Sequence, residues 1–166
     1  MKNKQLFEEF IMQNLDGAYR FAFTYTKNKE DAEDIVNESV IKALKSIGKL
    51  KDAGYIKSWF YRIIVNTAYT QRKRNSKVIF VDFGEENVDI APYCEDDYSD
   101  ITLDDILGTL DERYRSVVVL KICEDMTFTE IAGVLNVSEG TVKTRFYKAL
   151  EILKADLGGD RNAEVD

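Results

Sequence analysis

From Asp82 through Glu112 the chain carries twelve acidic residues and no basic one, and its only proline, Pro92, lies inside that run. Like charges at this density repel one another and resist burial, so this stretch cannot form the centre of a fold. It also interrupts the helical spacing on either side of it. Whatever apolar cores the chain builds must therefore form separately, before and after it. On its N-terminal side the sign reverses: Lys57, Arg62, Arg72, Lys73, Arg74 and Lys77 are six basic residues in a segment, 57–77, with no acid. The net charge of -7 is thus unevenly distributed, which bears on what each half can bind.

Before the acidic run, apolar residues recur at steps of three and four. Ala32, Ile35, Val36, Ser39, Val40, Ala43, Leu44 and Ile47 share one helical stripe, preceded by Glu30, Asp31, Glu33 and Asp34, which suit a helix N-terminus, and followed by Gly48. Phe7, Phe10, Ile11, Leu15, Ala18 and Ala22 form a looser stripe that Gly17 is expected to break. Ile56, Trp59, Phe60, Ile63, Ile64, Thr67 and Ala68 form a third, with Trp59, Phe60 and Ile63 expected in the core. Residues 5–75 therefore read as a helical bundle. VIFVDF has strand character but no partner strand, and the acidic segment reads as a linker. After it, Ile106, Leu107, Leu110, Tyr114, Val117, Val118 and Ile122 open a second helical unit, and the terminal GGDRNAEVD is polar and expected to fray. The fold class expected is all-α: an N-terminal helical bundle (1–77), an acidic linker (78–100), a C-terminal helix-turn-helix domain (101–157) and a flexible tail (158–166).

Several functions are disfavoured by what the chain lacks. It has no histidine, the commonest general base and metal ligand. Cys94 and Cys123 are too few and too far apart for a disulfide framework or a CxxC knuckle, which suits a reducing cytoplasm. Glu95, Asp96, Asp97, Asp100, Asp104 and Asp105 supply oxygens but lack the EF-hand spacing and its glycine. MKNKQLFEEF lacks a signal-peptide apolar region, and no run reaches the roughly 18 apolar residues of a membrane span. No catalytic residue, metal, cofactor or small-molecule substrate is expected.

The most specific signal is MTFTEIAGVLNVSEGTVKTRFYKALEIL. Thr127 and Glu130 form a capping-box pair, with Met126 and Ile131 placed as a staple. Ile131, Ala132 and Leu135 face inward. Asn136 occupies the turn, where a left-handed conformation is needed. Ser138 caps a second helix, with Val137 and Val142 as its staple pair and Val142, Phe146, Ala149, Leu150 and Leu153 as its buried stripe. The residues left outside, Ser138, Glu139, Thr141, Lys143, Thr144, Arg145, Tyr147 and Lys148, stand where a recognition helix meets a major groove. A helical hairpin with a solvated basic face is the plainer alternative.

In order along the chain, KEDAEDIVNESVIKAL, SWFYRIIVNTAYTQRKR and LDERYRSVVVLKICEDMTFTEIAGVLNVSEGTVKTRFYKALEIL resemble three motifs of the extracytoplasmic-function sigma factors of bacterial RNA polymerase. The resemblance spans about residues 5–155. It implies a promoter-specificity subunit whose chemistry belongs to the polymerase. The first motif implies docking on core RNA polymerase through Asp31, Asp34, Asn37, Glu38 and Lys42; Asn37 stands where the family often has Gln. A solvated helix face with Glu38 and Lys42 as an i, i+4 pair is the alternative.

The second motif, with the loop GKLKDAGY, implies capture of single-stranded minus-10 promoter DNA by Lys51, Tyr55, Lys57, Arg62, Asn66, Arg72, Lys73 and Arg74. An unstacked base needs stacking or hydrogen bonds in return, and a basic track neutralises phosphates. The third implies reading of the minus-35 duplex, and the acidic linker is implied to pass through the polymerase's RNA exit path. The resemblance further implies an anti-sigma factor as partner, in this family frequently membrane-anchored. A stand-alone helix-turn-helix repressor or activator is the runner-up, but it predicts a dimerisation helix or sensor domain that the sequence does not show. A carboxylate-metal nuclease is a distant third.

Overall fold

The structure, a computed structural model, describes residues 2–78 and 103–163. The chain divides into two compact units, Met1–Tyr98 and Ser99–Asp166, and every regular element among the described residues is helical. The expected linker, the VIFVDF segment beyond Val78, and Cys94 lie outside the described residues.

The first unit packs α1 (Lys2–Thr26), α2 (Lys29–Ser46) and α3 (Ile56–Val78) against one another. α1 runs through Gly17 without the expected break. A helical glycine costs about 1 kcal/mol, and the fully buried Ala18 and Phe21 just after it anchor the helix to the core. The reversal into α2 is tight. Lys27 takes the left-handed conformation (φ 52°) and donates its N–H to the Phe23 carbonyl at 2.9 Å, while the Asn28 side chain accepts from the Asp31 N–H at 3.0 Å and caps α2.

The core between the three helices is aromatic. Phe7, Phe21, Phe60 and Tyr61 are fully buried, and rings meet at 5.2 Å (Phe7 with Phe60) and 5.3 Å (Phe21 with Tyr61). Phe60 therefore takes the core position expected of it, whereas Trp59 and Ile63 are half-buried at the edge, Trp59 meeting Phe7 edge-on at 6.2 Å. Leu15 and Leu44, expected to be inside, sit on the flanks of their stripes and are exposed.

Between α2 and α3 the chain makes two 3-10 turns, Ile47–Lys49 and Ala53–Tyr55. Asp52 Oδ1 accepts from the Gly54 N–H at 2.8 Å, and Asn3 Nδ2 donates to the Leu50 carbonyl at 3.0 Å, tying this loop to the start of α1.

The second unit comprises α4 (Leu103–Gly108), α5 (Glu112–Val118), a π-helical turn (Val119–Cys123), α6 (Phe128–Leu135) and α7 (Glu139–Ala163). Arg115 is a buried structural cation: Nε donates to the Leu107 carbonyl at 3.0 Å and Nη2 to the Leu110 carbonyl at 2.6 Å, satisfying backbone acceptors at the end of α4. Burial pulls its guanidinium below the ordinary arginine range, opposed by the nearby carboxylates of Glu112 and Asp111. Val117 through Leu120 are all buried, and within the wide π turn Val119–Cys123 the Ile122 side chain faces solvent, 57% exposed, where the sequence predicts it inside.

The helix-turn-helix forms as its capping residues dictate. Thr127 Oγ1 accepts from the Glu130 N–H at 3.1 Å, and the Glu130 carboxylate accepts from the Thr127 N–H at 2.9 Å. Asn136 is left-handed (φ 56°, ψ 48°) and ends α6, and Ser138 Oγ accepts from the Thr141 N–H at 3.1 Å to start α7. Ile131, Val134, Val142 and Ala149 make the seam between the two helices; Leu150, expected there, is 37% exposed. α7 continues to Ala163, through the GGDRNA where the composition predicts fraying, since extending an established helix costs far less than starting one.

Candidate nucleic-acid interface

In the second unit, the N-terminal half of α7 and the start of α5 enclose a groove of about 660 Å³. Arg145, Lys148, Thr141, Thr144 and Ser138 line it from α7 and its cap; Arg113 and Tyr114 line it from α5. Its chemistry is cationic and hydroxylic. The Ser138 and Thr141 hydroxyls are 2.8 Å apart, and Lys148 lies 3.7 Å from Glu151 on its outer side. Guanidinium and hydroxyl groups on one helix flank suit base edges and phosphates alike.

The other flank of α7 is occupied differently. Tyr147 packs its ring against Phe146 (5.6 Å) and Phe128 (6.4 Å), with Lys121 Nζ 4.5 Å from the Phe128 ring centre. Glu139 bonds the Thr129 hydroxyl at 3.1 Å and pairs with Lys143 at 3.5 Å. At about 100° per residue, Tyr147 stands roughly 100° around the helix from Lys148.

In the first unit, Arg62, Asn66, Tyr69 and Lys73 follow one another at steps of four, three and four residues and form an exposed stripe on α3. Tyr69 is 47% exposed and sits edge-on to the Tyr25 ring at 5.8 Å, so an aromatic face lies within the basic track. Lys51 and Tyr55 are exposed in the loop before α3. On α2, Asp34, Asn37, Ile41 and Leu44 form a separate exposed stripe, with Ile41 54% accessible.

Comparison with known proteins adds the decisive observation. The Sigma-70 region 2 model matches residues 10–78, and the Sigma-70, region 4 model matches residues 101–153, so both sites lie within matched segments in family order. The chain is 38% identical over 162 residues to RNA polymerase sigma factor SigV of Bacillus subtilis, covering 95% of this chain and 96% of that protein. The chain belongs to the extracytoplasmic-function sigma factors. It is also 26% identical over 176 residues to ECF RNA polymerase sigma factor SigW of Bacillus subtilis, spanning 93% of this chain and 90% of the other. Its fold matches that of the sigma factor RpoE from Bartonella quintana, solved in complex with the anti-sigma factor NepR, with a TM-score of 0.75 at 22% identity over 92% of this chain and 96% of that one.

In this sigma factor the residues expected from sequence do not all stand together. Glu38 and Lys42, expected on the polymerase-facing surface with Asp31, Asp34 and Asn37, turn towards α3. Lys42 Nζ lies 3.2 Å from Glu38 and donates to Thr67 Oγ1 at 3.2 Å, while Glu38 accepts from Gln71 Nε2 at 3.0 Å and lies 3.9 Å from Arg74. The Gln71 bond, with Lys42 and Arg74 nearby, holds the Glu38 carboxyl below its ordinary range. Asp31, Asp34 and Asn37 remain exposed.

On α3, Arg72 Nη2 donates to the Tyr25 carbonyl at 2.9 Å, so its guanidinium fastens the end of α1 to α3. Lys57 is half-buried and lies about 180° around α3 from Asn66, away from the stripe. The structure adds Tyr69, Ile41, Leu44, Arg113 and Tyr114 to these surfaces. The signal for Tyr69 was present in its spacing from Arg62 and Asn66; Arg113 had none, because it lies outside the helix-turn-helix and only the fold brings it to α7.

Proposed function

We propose that this sigma factor joins core RNA polymerase through α2, holds the opened minus-10 strand along α3 and its preceding loop, and reads the minus-35 duplex with α7. The observation that supports this best is the ordering of two basic, polar surfaces in two separate helical units. Each carries its own fully buried core, and each matches a sigma-70 region. Arg62, Asn66, Tyr69 and Lys73 give the strand cations for phosphates and a ring for stacking. Ser138, Thr141, Thr144, Arg145 and Lys148 meet the duplex. On α2, Asp34 and Asn37 frame the apolar Ile41 and Leu44, the mixture of an apolar centre with a polar rim that protein interfaces use.

The domain limits follow as 1–77 and 101–157, joined by the acidic stretch 78–100 that would suit a channel built for RNA. The protein acts in the cytoplasm; among the described residues no helix is long and apolar enough to cross a membrane. An anti-sigma factor, membrane-anchored or not, controls it by covering the α2 surface, a partnership of the kind solved for the Bartonella protein.

Reconstitution tests the reading. The full chain with core polymerase should select a two-element DNA sequence from a random pool and start transcription downstream of it, while the chain alone binds poorly. A tight, sequence-specific footprint by the chain alone would favour a stand-alone regulator.

A further inference from the structure

On α3, Thr67, Gln71 and Arg74 follow at steps of four and three and form one row that faces α2. The row meets a single carboxylate. Glu38 accepts from Gln71 Nε2 at 3.0 Å and lies 3.2 Å from Lys42 Nζ, which also donates to Thr67 Oγ1, so the carboxylate is held in place from both helices. The Gln71 bond, with Lys42 and Arg74 nearby, keeps its carboxyl below the ordinary range, and Glu38 is charged at neutral pH. Arg74 is the loosest member of the cluster. Its guanidinium stands 3.9 Å from Glu38, at the edge of ion-pair range, and its side chain is 67% exposed where that of Glu38 is 29% exposed. It also adjoins Lys73, about 100° around α3 from the exposed row of Arg62, Asn66, Tyr69 and Lys73. A long, flexible side chain at that boundary can serve either face.

We infer that Glu38 is an intramolecular brake on strand binding: its carboxylate holds Arg74 against α2 as an autoinhibitory contact, and Arg74 reaches a phosphate of the strand only by giving that carboxylate up. This rests on the reading of α3 as the helix that holds the opened strand. A carboxylate and a phosphate offer a guanidinium the same pair of oxygens, so the two compete directly for Arg74. Gln71 and Lys42 keep Glu38 in position when Arg74 leaves, so the contact can re-form each time the strand departs. Because Arg74 is exposed, the brake is weak and lowers strand affinity about two- to fivefold.

The test is a salt titration of the full chain binding a fluorescent single-stranded oligodeoxythymidine, a probe that presents phosphates with no sequence to read. Glu38→Gln, which removes the charge and keeps an oxygen for Gln71, should raise affinity about two- to fivefold at low salt, with the gain shrinking as salt screens the pair. Arg74→Ala should reduce the slope of log affinity against log salt by about 0.7, the share of one phosphate contact on a single strand. The double variant decides: in the Arg74→Ala background, Glu38→Gln should add little. An equal gain in both backgrounds would assign the effect to net charge and overturn the inference, as would the absence of any gain in Glu38→Gln. Partial unfolding, followed by urea melts of each variant, lowers binding and so cannot imitate the expected gain. If Arg62→Ala and Lys73→Ala leave affinity and slope unchanged, the reading of α3 as the strand-holding helix fails; if they lower both while Glu38→Gln changes nothing, only the brake is lost.

Discussion

Glu38 on α2 accepts a hydrogen bond from Gln71 on α3 at 3.0 Å, and so the helix proposed to face polymerase is joined by a side-chain contact to the helix proposed to face DNA. Lys42 and Arg74 lie on the same carboxylate, at 3.2 and 3.9 Å. Glu38→Ala should lower the stability of the first unit by about 1 kcal/mol, a modest loss because the site is partly solvated. The carboxyl is held below its ordinary range, so this stabilisation is complete above the unfolded-state value and is lost as pH falls through the lowered folded value. Urea melts of wild type and variant should therefore differ at neutral pH and converge in acid. A gap that persists in acid would mean that packing, and not charge, accounts for the effect.

Ile41 is 54% exposed at the centre of the α2 stripe. Ile41→Glu should leave the melting curve nearly unchanged, as surface substitutions usually do, yet weaken binding to core polymerase about tenfold or more if the stripe is the docking face. Measuring both quantities on the same preparation separates docking from folding, and retained affinity would remove Ile41 from the interface.

Tyr69 should matter for promoter opening more than for closed-complex binding. Loss of one stacked base costs about 1–3 kcal/mol, so Tyr69→Ala should reduce open-complex formation about tenfold, while Tyr69→Phe, which keeps the ring, should retain most of it. Fluorescent-base reporters in the minus-10 strand would read this directly. Equal defects in both variants would point to the hydroxyl in place of the ring face.

Tyr147 and Arg145, two residues apart on α7, should behave differently. Arg145 lines the groove, and its replacement by Ala should cost about 1–3 kcal/mol of minus-35 binding and relax preference at one position. Tyr147→Ala should instead loosen the Phe128–Phe146 cluster and lower stability by about 1 kcal/mol, with little change in sequence preference. A preference change in Tyr147→Ala comparable to that of Arg145→Ala would return the ring to the DNA surface.

Local rules carried the helix-turn-helix reading far. Thr127, Glu130, Asn136 and Ser138 act on backbone groups within a few residues of themselves, so their geometry follows from their spacing. The period of the apolar residues likewise located the helices, and the order of three motifs pointed to the family. Where the spacing failed, the reasons differed. Gly17 did not break α1 because Ala18 and Phe21 are locked into the core of other helices, whereas Ile122 left the core for a local reason: it lies inside the π turn, whose wider winding changes the angular step.

Charge alone did not say which cations face outward. Arg72 reads as a DNA-facing cation in sequence, yet it donates to the Tyr25 carbonyl; Arg115, to which the sequence assigned no role, donates to the carbonyls of Leu107 and Leu110. A backbone acceptor left open at a helix end attracts whichever guanidinium the packing brings near, and for Arg72 that choice is made across 47 residues of chain, for Arg115 within eight. The sequence by itself determined the helices, their caps and the segregation of charge; only the tertiary structure decided that Glu38 and Arg72 hold helices together while Tyr69 stays exposed on α3 and Arg113 lines the groove beside α7, because those placements depend on which helices pack together.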